Sequence, residues 1–358
     1  MHSIILVNAR VMKLERFRFR RLGRSPTPYQ TDAGLEDYLG SGVVLTAENQ
    51  KEFLKIGWKV PLSAAGNDHD YENFEFYFHH YHQSCSNASA TIRSCTHRHV
   101  CESMQLFMTG TREDCESALM QIVGPGSSTA QAAEIIEFIG RAVLMIELRE
   151  WARTETLEDF VVRIMASRST QKDDCRLARS FNARTFAKTA GINVQWTRDL
   201  GEHLEVKGND SDIAIFHCVT VLALYQQSAL GQIFPPGFLE ETKRTLSLMI
   251  PTSADKPTRV WFKSEQRKRR IDPGCGECRH LKSSERHLGD FEYWKDRIII
   301  AKEVLDEHQP RGILQVWRDN RNPVQWWTFW IALVVFALTI VACVEGALQV
   351  YKAYSPSK

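Results

Sequence analysis

Residues 326–344, WWTFWIALVVFALTIVACV, run for nineteen positions without a charge, and are followed by Glu345 and a tail ending at Lys358. At ~1.5 Å per residue a helix of that length covers roughly 28 Å, close to the ~30 Å hydrocarbon thickness of a bilayer. The stretch reads as a membrane anchor. Trp326, Trp327, Phe329 and Trp330 stand at one edge and Tyr351 and Tyr354 at the other, where amphipathic rings prefer the headgroup level. Asn322-Pro323 supplies a cap and a first-turn proline, so the transmembrane helix is predicted over 323–350, with 351–358 as a short tail. Glu345 is the only charge between Trp326 and Val350, and an intramembrane carboxylate is by default a functional candidate. Its place near the C-terminal end of the span lets it reach the interface at modest cost.

Ahead of the anchor the chain is 43% hydrophobic and 25% charged, which is the composition of a folded body rather than a disordered tail. A formal net charge of +2 argues against nucleic acid as a bulk partner. Nine cysteines, an odd number with no compact spacing and one of them in the anchor, point to reduced thiols facing the cytosol. The N-terminus agrees: its only apolar run is Ile4 to Val7 and its basic residues follow that run, the reverse of a signal peptide. Residues 1–25, with Arg10, Lys13, Arg16, Arg18, Arg20, Arg21 and Arg24 against one Glu15, read as a solvated basic arm in preference to an Arg-rich transit segment. Only fourteen residues follow Val344, so insertion is expected after synthesis, with the N-terminal bulk left cytosolic. Arg311, Arg318 and Arg321 on one side of the span against Lys352 and Lys358 on the other agree weakly. An endomembrane is favoured over the mitochondrial outer membrane.

The expected fold is mainly α, of the α+β type, with a few short strands and one C-terminal transmembrane helix. A helix-rich globular domain is assigned to 26–250. Thr46 caps a helix to Ile56, the alternating Phe74, Phe76 and Phe78 predict a half-buried strand, and Ser127 or Ser128 caps a long apolar helix over 130–152. Helices at 157–166 and 183–190, the latter stopped by Gly191, lead into a strand at 192–196, a short helix over 198–204, and a hairpin at Lys207-Gly208-Asn209-Asp210. That order resembles a small winged-helix unit, but Arg198 stands against Asp199, Glu202 and Glu205 on the helix that would read a groove, so packing is the better use of it. Pro235-Pro236 opens a helix over 238–250. Residues 251–289, polar and basic with Lys263, Arg267, Lys268, Arg269 and Arg270, read as an exposed linker that could meet anionic headgroups. Asp290 caps a juxtamembrane amphipathic helix within 290–308, whose Phe291, Trp294, Ile298, Ala301 and Leu305 step by 3 and 4. That seam serves core packing or, through residues 291–305, a homo-oligomer.

No nucleophile, base and orienting group can be assembled from the sequence, and the candidates for chemistry are metal ligands. His79, His80, His82, Cys85, Cys95, His97, His99 and Cys101 are dense, but their alternation offers at most two ligands per ion in either a strand or a helix. Cys275-Gly276-Glu277-Cys278 with His280 and His287 is the better zinc knuckle, although one CxxC is half a structural site. A Walker loop is excluded at Gly124-Pro125-Gly126 because no Lys-Ser/Thr follows. The favoured function is a non-enzymatic, membrane-anchored interaction or scaffold protein without cofactor, contacting the bilayer and a protein partner. A metal-dependent enzyme or zinc-stabilised domain is the alternative.

The segments FEYWKDRIIIAKEVLDE, WRDNRNPVQWWTFWIALVV and EGALQVYKAY, with INVQWTRDLGEHL and IFPPGFLEETKRTL before them, resemble a large group of uncharacterised single-pass membrane proteins of filamentous fungi. The shared pattern is a tryptophan-rich start and an EGALQVYKA-like exit of the helix, and it covers the last half of the chain. It implies an integral membrane protein with a helix-rich body, and it carries no activity or catalytic residues.

Overall fold

The computed structural model describes residues 31–40, 43–60, 74–124, 126–165, 175–307 and 323–354. The basic arm over 1–25 lies outside them. The fold is mainly α with a few short strands and ends in one long apolar helix.

Strands β1 (Thr31–Ala33) and β2 (Val43–Leu45) pair in parallel and lead into α1 (Ala47–Ile56), whose first turn is closed by the Thr46 hydroxyl accepting from Asn49 N at 3.3 Å. The stretch after Phe74 is not the strand its alternation predicts but helix α2 (Glu75–Ser86). Tyr77, Phe78, Tyr81 and Cys85 return every three or four residues and are all buried, whereas Phe76 is only partly covered. The longer helical period outweighs three alternating phenylalanines. Helices α3 (His97–Leu106), α4 (Arg112–Val123) and α5 (Thr129–Ile139) begin at Thr96, Thr111 and Ser128, each with a reciprocal capping box.

Helix α5 is shorter than the apolar run over 130–152 predicts. At Gly140 the backbone widens into a wide-pitched turn to Leu144 and doubles back through Met145 in the left-handed region. A Cβ on Gly140 would lie 2.6 Å from the Ile146 carbonyl oxygen, so the reversal requires glycine. After α6 (Leu157–Met165), the short α7 (Ala183–Thr185) widens in the same way over Phe186–Ala190 and is stopped by Gly191 at φ 74°.

Strands β3 (Asn193–Thr197), β4 (Val206–Lys207) and β5 (Asp212–Phe216) form a sheet of order β3-β5-β4, with β3 and β5 parallel in the register Asn193↔Asp212 to Thr197↔Phe216 and β4 antiparallel to β5. The hairpin is where the sequence places it. Between β3 and β4 only a single tight turn, Leu200–Glu202, takes the place of the expected helix over 198–204, and the Asp199 carboxylate accepts from Gly201 N at 2.9 Å to hold it. With Ile213, Ile215 and Phe216 buried, the sheet is a wall of the core. Helices α8 (Val219–Gln227) and α9 (Phe238–Met249) follow it and pack against each other. Trp58, whose Nε1 donates to Tyr77 OH at 3.0 Å, packs edge-on against Tyr225 at 5.0 Å and joins the N-terminal helices to α8.

Residues 251–289 are not an exposed linker. They contain α10 (Lys256–Lys268), capped by Asp255, which buries Trp261 and Phe262, and a chain of tight turns that buries Ile271, Cys275, Leu281 and Leu288. Lys263, Arg267, Lys268, Arg269 and Arg270 occupy the exposed face and set the composition, while a few large side chains do the packing. The folded body therefore runs past 250 to α11 (Lys295–Glu307). Phe291, Trp294, Ile298, Ala301 and Leu305 are buried in the chain's own core, so this seam is not open to a second copy in this fold. Asp290 does not start α11. The backbone N–H groups of Glu292, Tyr293 and Trp294, just ahead of it, donate instead to the Glu241 carboxylate, each at 2.8 Å.

Candidate functional site

The last helix, α12 (Pro323–Tyr354), contains among the described residues the one segment long and apolar enough to cross a membrane, Trp327–Lys352, and none of its most apolar window is buried by the rest of the chain. Trp327 and Tyr351 are 62% and 69% exposed at its two ends, as an interfacial belt requires. Trp326 and Trp330 lie on the same first turns, and Glu345 lies about one and two-thirds turns before Tyr351.

The histidines and cysteines of 79–101 are distributed over α2, α3 and, for Cys95, the turn between them, and the histidines are engaged one by one. His82 Nε2 accepts from Leu45 N at 3.1 Å, His80 Nε2 donates to Arg141 O at 3.3 Å, Tyr81 OH and His97 Nδ1 lie 2.8 Å apart, and His99 Nδ1 accepts from Thr96 N at 3.4 Å. Burial holds His80, His82 and His97 down to about 4. In the second stretch Cys275 Sγ donates to His217 O at 3.0 Å and Cys278 Sγ to Gly274 O at 3.6 Å, His280 faces a separate cavity with Arg286, and His287 caps a tight turn. Among the described residues no three of the histidines, cysteines and carboxylates form a group able to hold a metal ion. All nine cysteines are free thiols. Burial pushes Cys85, Cys115 and Cys278 up to about 12, and Cys218 and Cys275 higher, so these thiols are protonated and poor nucleophiles at neutral pH.

Two basic clefts lie among the described residues. The first, about 350 Å³, is lined by Trp196, Arg198, His217, Arg269 and Arg270. Trp196 Nε1 and Arg198 Nε are buried there without a partner. Arg270 meets His79, and burial together with the charge of Arg198 depresses His80 and His217, the latter to about 3. The imidazoles are thus neutral beside guanidinium groups. The second cleft, about 490 Å³, lies between the start of α7, the end of α9, the start of α10 and the turn at 280–286. Its walls include Arg179, Arg184, Arg286 and His280. Arg286 is 7% exposed, and its Nε and the Nδ1 of His280 are buried without partners. Burial and the neighbouring Arg179 and Arg176 lower the Arg286 guanidinium below its ordinary range.

Sequence reasoning singles out His280 in the second cleft and Arg198, Arg269 and Arg270 in the first. It missed Arg179, Arg184 and Arg286, because single arginines spread over a hundred residues carry no motif. The one available signal was arginine rather than lysine at each of the three positions. No protein-family model, curated protein or solved structure matches the chain.

Proposed function

We propose that the chain is a single-pass membrane protein whose folded body is a non-enzymatic interaction module on the cytosolic side of an endomembrane. The observation that carries this reading is α12: a helix of membrane length and apolarity that the folded body does not use, with aromatic rings at both ends. In water such a surface would be a large exposed apolar patch, which folded chains avoid unless it is an interaction site. The free state of all nine thiols supports the cytosolic side. Burial keeps Cys275 and Cys278, the CxxC pair, protonated, which supports a structural use of that pair. The test is affinity capture of the full chain with its anchor intact, followed by reconstitution of each captured protein with the purified chain. A stoichiometric complex is expected, and recovery of the chain alone, together with turnover of a small molecule, would contradict the reading.

A further inference from the structure

An arginine buried to 7% exposure normally has a carboxylate or several carbonyls against its guanidinium, because desolvation of an unpaired charge outweighs most packing gains. Arg286 has neither among the described residues. The adjacent Glu285 is taken by Arg279, and the nearest charges, Arg176 and Arg179, are of the same sign. Among the described residues Asp255 is the one carboxylate in the cavity wall, and it is committed to the α10 cap, accepting from Thr258 N at 3.0 Å and from the Thr258 hydroxyl. Three guanidinium groups against that carboxylate leave the wall doubly positive before His280 is counted.

We infer that the cavity lined by Arg179, Arg184, Arg286 and His280 binds a small ligand carrying a phosphate monoester or similar dianion, with Arg286 as the buried anchor. Guanidinium forks match phosphate oxygens in pairs, and the charge of a dianion equals the surplus on the wall. A volume of about 490 Å³ lies in the range of small-molecule sites and exceeds what bare phosphate would fill. The remainder is walled by Phe181, Leu248 and Leu281, so the ligand has an organic part, which a soluble organophosphate or a phosphorylated lipid headgroup would each supply.

The inference does not depend on how the chain acts on other proteins. It is tested on the full chain by thermal unfolding in phosphate-free buffer, in two arms. In the first, inorganic pyrophosphate is titrated into detergent-solubilised protein; in the second, the protein sits in phosphatidylcholine nanodiscs with or without a few per cent of phosphatidylinositol phosphate. Saturable protection in the first arm assigns a soluble ligand, and protection confined to the second assigns a headgroup. In either arm Arg286→Gln should weaken binding at least ~tenfold, a loss of about 1.4 kcal/mol or more. It should also leave the ligand-free protein no less stable than the wild type, because it removes an unpaired buried charge. Arg184→Gln, at a half-buried position that tolerates substitution, should weaken the same response and guards against misfolding of the first variant. Absence of protection in both arms would overturn the inference. So would a response that survives in both variants, or one lost in Arg198→Gln, which belongs to the other cleft.

Discussion

Glu241 is a carboxylate from α9 that does the work of a helix cap for an element fifty residues later. Its Oε1 accepts from Tyr293 N and Trp294 N and its Oε2 from Glu292 N, all at 2.8 Å, and the residue is 5% exposed. Glu241→Ala removes both acceptor oxygens and with them all three bonds. The Trp294 N–H is buried and would be left unsatisfied at a cost of about 1–3 kcal/mol, while the half-buried Glu292 and Tyr293 N–H groups can recover water and lose roughly 0.5 kcal/mol each. The expected total is roughly 2–4 kcal/mol. Glu241→Gln keeps one oxygen, hence the two bonds to Tyr293 and Trp294, and should cost about half as much. Burial raises the Glu241 pKa despite the three donors, so the folded value lies above the unfolded ~4.3. A raised pKa means stability that is complete below ~4.3 and declines as pH rises through the folded value. The wild type should therefore gain on Glu241→Gln as pH falls toward 4.3. The assay is urea unfolding followed by tryptophan fluorescence, with Trp294 as a local reporter because it packs edge-on to His203 at 4.7 Å. Midpoints of both variants within ~0.5 kcal/mol of the wild type, or a glutamine variant as damaged as the alanine one, would refute the cap.

Acid should destabilise the body as pH falls below ~6.5. His80, His82 and His97 are held to about 4, and His203 and His217 to about 3, so their stabilising share is intact above the unfolded ~6.5 and falls with pH toward those values. Each should lose on the order of 2 kcal/mol by pH 5, so the urea midpoint should fall between pH 7 and pH 5; a midpoint unchanged over that range by circular dichroism would contradict this. Ile298→Asp, at 0% exposure in α11, should cost more than ~3 kcal/mol without changing the mass by light scattering, and an unchanged unfolding midpoint would show the seam to be unpacked. Asn87 is exposed just after α2 and sits in an Asn-Ala-Ser sequon, so a lumenal body would be glycosylated there. No glycosidase-sensitive shift is expected on the native chain, but one is expected when an acceptor is appended after Lys358; sugar at Asn87 would reverse the topology.

Elements announced by caps and breakers are legible in the sequence: Thr46 before α1, Ser128 before α5, Gly191 after α7, the Lys207–Asp210 turn, and the long apolar helix α12. Errors arose where a local pattern competed with a tertiary contact. Alternating phenylalanines suggested a strand at α2, and the apolar run past Ile139 hid a reversal forced by the approach of Ile146 to Gly140. Basic surface residues made α10 look like a linker although Trp261 and Phe262 anchor it. The interactions that define the clefts and the Glu241 cap join residues from fifty to a hundred positions apart, and no local spacing encodes them.

The most direct test of membrane anchoring by α12 is alkaline carbonate extraction of membranes carrying the full chain, beside a variant with Val335→Arg and Leu338→Arg on the unburied span. Charges at mid-span oppose insertion by about 2.5–3.5 kcal/mol each. The wild type should stay in the pellet and the variant move to the supernatant. A wild-type chain released by carbonate, or a variant retained as firmly as the wild type, would contradict the anchor.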